Sequence, residues 1–263
     1  MVRKGSPVQV RLRALRSVRS RAVGPDSDQR GTRSRLRRLP LARHLNEMRL
    51  ALMRAWRGSA RKTERSYEDQ YRESADPWSY GETEYQRRRF ETSLELIEGT
   101  GRVPFPTALE VGSSEGLFTE QLAPRCSSLL GTDVSETALA RARERCASIE
   151  QVSFARWDAL ADPPPGRYDL VVCMDVVDEI DRPRARRKLV DSVIGAVAPG
   201  GSVLVTAVIV SDTVETARWA RWMGLGAHWV IDRFASDPRL ELRELRETER
   251  HLIARYEAVT DGG

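Results

Sequence analysis

The chain is poor in cysteine, histidine and lysine, with three of each in 263 residues, and it has no apolar run approaching a membrane span. About 18 such residues would be needed to cross a bilayer. Cys126, Cys146 and Cys173 show neither paired spacing nor a C-x-x-C, so no disulfide framework is expected and a reducing, cytoplasmic setting fits best. Cys173 falls in an apolar run, where a free thiol behaves as a small hydrophobe. The N-terminus lacks the apolar core of a secretory signal, although it is acid-poor and rich in Arg and Ser, as a transit peptide also is. Forty arginines against three lysines fit GC-rich coding and point to a bacterial source.

The net charge of +5 suggests nucleic-acid binding until it is divided along the chain. Residues 1 to 43 carry thirteen Lys or Arg against two Asp, which leaves the rest of the chain acidic. Basicity therefore belongs to a tail. Residues 1–40 lack apolar periodicity and are expected to be disordered, either a solvated tail or upstream sequence read from a misassigned start. Leu41, Leu45, Met48, Leu52 and Trp56 recur at helical spacing, and residues 41–100 are expected to form N-terminal helices over a body spanning 101–263.

That body alternates. Short apolar runs at 107–112, 128–133, 152–158, 168–175 and 201–210 are separated by helical or polar stretches, with a helix expected to end at the Pro199-Gly200-Gly201 turn. The C-terminal LELRELRE and RHLIARYEAV alternate with period two, which predicts an antiparallel hairpin. The expected fold class is α/β: a doubly wound, seven-stranded, mostly parallel sheet of Rossmann-like type with a C-terminal hairpin and an N-terminal helical lid.

Ligands of such sheets sit at the carboxyl ends of the strands. Here Glu110 ends the first strand, Gly112 and Gly116 permit a tight turn, Asp133 ends the second strand and Asp158 the third. A dinucleotide fingerprint begun at Gly112 needs glycine at 114 and 117, where Ser114 and Leu117 stand, and no phosphate-binding G-x-x-x-x-G-K-[ST] loop exists. An adenosine without phosphates is the economical ligand. Asp133 would accept both ribose hydroxyls, Asp158 the adenine amino group, with Trp157 and Val134 flanking the ring. Each has a plainer alternative: Asp133 as a helix cap, Trp157 as core.

The run ALEVGSSEGLFTEQLAPRCSSLLGTDVS (108–135) resembles the glycine loop and second strand of class I S-adenosylmethionine (SAM) dependent methyltransferases. Within them it is most similar to the nodulation protein S (NodS) family, through GLFTEQLAP, DPWSY (76–80), YQRRR (85–89) and GAHWV (226–230), over about residues 65 to 258. The resemblance implies SAM as cofactor. It also implies that Glu110, Gly112, Ser113, Ser114 and Gly116 contact its methionine part, that Ala159 joins Asp158 at the adenine, and that Met174 lends a backbone contact. Trp78, Tyr80 and Arg88 would form a lid, Arg88 meeting the cofactor carboxylate. Two positions depart from the family: Ser114 replaces the middle glycine, and Asp178 and Glu179 stand where the family carries two aromatics.

The implied activity is N-methylation of an amino sugar or another small amine. The rivals are a SAM-binding regulator or degenerate enzyme, and a nucleic-acid methyltransferase using the basic tail. No metal is required for methyl transfer. An amine must lose its proton before attack, and Asp175 is the first candidate for general base, followed by Asp178, Glu179 and His228. Asp175 would otherwise order the end of the fourth strand. Asp178 and Glu179 would otherwise attract a cationic substrate or open the next helix, and His228 would be an ordinary helix residue.

Overall fold

The computed structural model describes residues 64–74, 76–77, 83–180, 182–209 and 226–260. The chain divides into two units, Met1–Ala60 and Arg61–Gly263, so residues 61–100 belong with the body rather than apart from it. The first unit, with the expected tail and the expected amphipathic helix from Leu41 to Trp56, lies outside the described residues, as do Trp78 and Tyr80.

Two helices, α1 (Glu64–Glu73) and α2 (Glu84–Glu98), precede the sheet. Strand β1 (Ala108–Val111) leads into the short α3 (Leu117–Leu122), β2 (Leu129–Asp133), α4 (Glu136–Arg145), β3 (Val152–Arg156) and β4 (Tyr168–Met174). Then follow α5 (Pro183–Gly195), β5 (Val197–Val208), α6 (Gly226–Ala235), β6 (Leu240–Glu247) and β7 (His251–Ala258). The seven strands order as β3-β2-β1-β4-β5-β7-β6. The first five are parallel, and β7 runs antiparallel to both β5 and β6, so the expected hairpin closes the edge of the sheet.

Burial explains the parallel part. All four residues of β1 and the Leu170–Cys173 stretch of β4 are buried, as strands covered on both faces must be. On α2, Phe90, Leu94 and Ile97 form an apolar stripe that joins Phe105, Phe118 and Leu122 in one core cluster, with the Phe90 and Phe118 rings 5.0 Å apart. Thr83 caps α2 by accepting from the Gln86 N–H, and Ser135 caps α4 by accepting from Ala138.

Residues 157–167 connect β3 to β4 without a helix, one of the polar stretches between the apolar runs. One local expectation changes. The Pro199-Gly200-Gly201 segment is not a turn between helix and strand. Helix α5 ends at Gly195, and β5 begins at Val197 and absorbs the segment in an irregularity of register, Tyr168 pairing with Val197 but Leu170 with Ser202.

Candidate active site

The switch point between β1 and β4 opens into a cavity of about 440 Å³ at the carboxyl ends of the strands, a size proper to a small-molecule site. One end is built from backbone turns. Gly112 follows β1 with φ +73°, and a Cβ there would lie 2.4 Å from Val176 Cγ2, so only glycine permits both the turn and this approach. Ser114 takes φ +51°, the left-handed conformation that the family's glycine would adopt without strain. Its side chain is held in place: Tyr71 of α1 donates its hydroxyl to Ser114 Oγ at 2.7 Å. The Ser114 N–H donates to Asp133 Oδ2 and the Ser135 N–H to Asp133 Oδ1, both at 3.0 Å. A carboxylate accepts about four hydrogen bonds, so Asp133 keeps capacity toward the cavity it lines. Burial pushes its carboxyl up, while the backbone N–H groups of Ser135, Ser114 and Val134 oppose the shift.

Val134, Trp157, Asp158 and Ala159 complete this end of the lining. The Leu160 N–H at 2.8 Å fixes Asp158 Oδ1, and the Trp157 indole donates to the Pro163 carbonyl at 3.0 Å, so the ring is both buried and a cavity wall. Helix α1 braces three strand ends together. Besides Tyr71, Tyr67 donates to the Glu179 carbonyl at 3.3 Å, and Glu68 accepts from Ser135 Oγ at 2.7 Å and from Thr137 at the start of α4. The Thr137 and Ser135 hydroxyls hold the Glu68 carboxyl down at about 2.

The other end is built from side chains. Met174, Asp175, Val176 and Glu179 line it. Asp175 follows β4 with φ +62°, a strained position for a residue with a side chain, and three groups hold it there. Arg89 of α2 pairs with its Oδ2, Thr206 of β5 donates to its Oδ1 at 2.6 Å, and His251 Nε2 of β7 lies 3.1 Å from Oδ2.

Several expected contacts fall elsewhere. Arg88 points outward and pairs with Glu84, whereas its neighbour Arg89 is the buried arginine of that segment; one residue along a helix turns the side chain by about 100°. Asp178 faces away from the cavity lining and accepts the Val208 N–H at 2.7 Å, where burial pushes its carboxyl up to about 7. His228 lies on α6, which packs on β5 and β7, and does not reach the cavity lining. Glu110, Ser113 and Gly116 are not in the lining either. Glu110 accepts from Thr119 Oγ1 at 2.6 Å beneath the loop, and burial pushes it up to about 8; alternation along β1 gives the cavity to Val111 instead. Gly116 caps α3 with φ +79°.

Sequence reasoning missed Tyr67, Tyr71, Arg89, Thr206 and His251. The i, i+4 spacing of Tyr67 and Tyr71 was a signal; nothing in the sequence linked Arg89 to His251 across 162 positions. Among the described residues no group of His, Cys, Asp and Glu is placed to hold a metal, and the three cysteines are buried and free. No helix among the described residues is long and apolar enough to cross a membrane.

The comparisons with known proteins agree with this geometry. The family model of nodulation protein S matches residues 63–255. The chain is similar to nodulation protein S of Rhizobium tropici, 31% identical over 202 residues that cover 74% of this chain and 82% of the relative. It is also similar to nodulation protein S of Sinorhizobium fredii, at 29% over 70% and 84% of the two chains. Among solved structures, the N-methyltransferase NodS of Bradyrhizobium japonicum in complex with S-adenosylhomocysteine matches with a TM-score of 0.60 and 28% identity, covering 70% of this chain and 93% of that one. The family match over residues 63–255 and these likenesses make the chain a member of the nodulation protein S family and a SAM-dependent methyltransferase.

Proposed function

We propose that this methyltransferase transfers its methyl group to the nitrogen of a small amine, an amino sugar being the first choice, in the cytoplasm. The observation that carries the reading is that two acidic residues at the end of β4, Asp175 and Glu179, are among the residues lining the same cavity as Asp133 and Asp158. An acidic wall attracts an ammonium group and favours its delivery to the cofactor, and the Bradyrhizobium relative is itself an N-methyltransferase.

Asp133 would hold the ribose, Asp158 and Ala159 the adenine, and Gly112 and Ser114 the methionine part, with Val134 and Trp157 flanking the base and Met174 beside it. When bound, SAM supplies an electrophilic methyl group on a sulfonium. The chain's own contribution is alignment of the acceptor and exclusion of water, because displacement at carbon depends on in-line approach. Asp175 is the candidate to orient the amine and take its proton, and Glu179 to attract it. Trp78 and Tyr80 remain candidate lid residues.

The test incubates the full chain with SAM and a panel of glucosamine, short glucosamine oligomers, aliphatic amines, phenols and alcohols. Release of S-adenosylhomocysteine with an N-methylated product is expected for an amine. Turnover confined to hydroxyl acceptors would overturn the reading.

A further inference from the structure

The carboxylate of Asp175 is held by groups of unequal charge. Arg89 brings a full positive charge, Thr206 a neutral hydroxyl, and His251 an imidazole buried to 5% exposure. The imidazole ring stacks on Tyr85 of α2 with centroids 5.4 Å apart, and Arg250 lies over the Tyr85 ring. Among the described residues, the charged or titratable groups near it include Arg89 and Tyr85 from α2, Asp175 from the end of β4, Arg250 preceding β7, and Asp178, which bonds the Val208 N–H opposite His251. Desolvation pushes the imidazole down to about 4, so it is uncharged at neutral pH.

A neutral imidazole carries one N–H, and a carboxylate oxygen offers only lone pairs. The contact between Nε2 and Asp175 Oδ2 therefore places the proton on Nε2. Nδ1 is then a bare nitrogen, and it is buried without a hydrogen-bond partner among the described residues. Burial of a bare nitrogen carries a cost, so the contact to Asp175 has to justify the residue. A lysine or arginine would donate to the same oxygen with a stronger bond. It would also add a second cation to a carboxylate that Arg89 already balances.

We infer that His251 is a positioning residue that orients Asp175 by hydrogen bonding while adding no charge to the acceptor end of the cavity. The reason lies in the reactants: a sulfonium cofactor and an ammonium acceptor are both positive, and a further buried cation would repel each of them across a medium that screens poorly. The acceptor half of this inference rests on the amine reading above; the cofactor half does not.

The experiment uses the full chain with His251→Gln, which keeps a neutral donor, and His251→Lys, which keeps a donor and adds a charge. For His251→Gln, the ratio of SAM to S-adenosylhomocysteine affinity stays within about threefold of the parent's, because the side chain remains a neutral donor. For His251→Lys, SAM affinity falls roughly tenfold or more while affinity for S-adenosylhomocysteine, whose sulfur is neutral, changes far less. Acceptor KM rises more than kcat falls. An unchanged ratio of SAM to S-adenosylhomocysteine affinity in His251→Lys would overturn the inference, as would equal behaviour of the two variants. If that ratio shifts but no amine is methylated, the amine reading fails and the role of His251 stands. Should the lysine variant not fold, nitrogen-15 spectra of histidine-labelled parent protein decide: a neutral ring protonated at Nε2 at pH 7 is expected, and an imidazolium would refute the role.

Discussion

The two ends of the cavity are made by different means. At the end formed by β1, β2 and β3, the working groups come from residues within 50 positions of one another and depend on backbone shape: Gly112, Ser114, and a carboxylate fixed by two backbone N–H groups. At the end formed by β4, β5 and β7, Asp175 is fixed by side chains from α2, β5 and β7, drawn from positions 89 to 251. A backbone-built end tolerates few substitutions but is compact in sequence. A side-chain-built end can be retuned one residue at a time, which is where acceptor choice should vary within a family sharing one cofactor.

This contrast can be broken by mutation. The largest effect is expected for Asp133→Ala, which removes the remaining acceptors and leaves the Ser114 and Ser135 N–H groups without their partner. SAM affinity should fall by about two orders of magnitude or more in titration calorimetry, since hydrogen bonds to charged groups contribute roughly 1.5–3 kcal/mol each. Unchanged affinity would show that the ribose does not sit there. Asp175→Asn should do the reverse: SAM affinity within about threefold, with turnover on an amine reduced roughly a hundredfold, in the range of general-base effects. Loss of SAM binding in that variant would erase the distinction between the two ends.

Asp178 lies outside the cavity lining, and Asp178→Asn should act on stability rather than on turnover. The native carboxyl titrates at about 7 against an unfolded value near 4, so its stabilising effect is complete below about pH 4 and is lost as pH rises through about 7. The amide cannot ionise, so this variant should lose less stability than the parent between pH 4 and 7 in thermal melts, with turnover within a few fold of the parent. His251 has the opposite sign. Its native proton affinity is depressed to about 4, so the stability it contributes is present above about pH 6.5 and is lost as pH falls toward 4. The smallest effect is expected for Ser114→Gly. Relief of the left-handed strain and loss of the Tyr71 contact each amount to about 1 kcal/mol, and the two should nearly cancel in a denaturant titration.

The same contrast governs what the sequence reveals. The order of strands, the hairpin and the carboxylates at strand ends are periodic or local features, so Asp133, Asp158 and Gly112 were legible and the structure brings them to one cavity. Asp175 and Glu179 were legible as residues following a strand, and both line it. Arg88 and Arg89 are indistinguishable within the YQRRR run, and the helix phase alone decides that Arg88 pairs with Glu84 at the surface and Arg89 with Asp175 inside. His251 was passed over for His228 because hairpin residues alternate faces, and the neighbour of a strand's first residue depends on register with β5, where His251 opposes Val208. Asp178 and Glu179 are equivalent in the sequence, and only the fold separates them: Asp178 accepts the Val208 N–H outside the cavity lining, and Glu179 is among the lining residues.

The most direct test is a crystal structure of the full chain with S-adenosylhomocysteine. Both ribose hydroxyls are expected on Asp133, the adenine between Val134 and Trp157, and the open side of the sulfur turned toward Asp175. A ribose bound away from Asp133, or a sulfur facing away from Asp175, would contradict this arrangement.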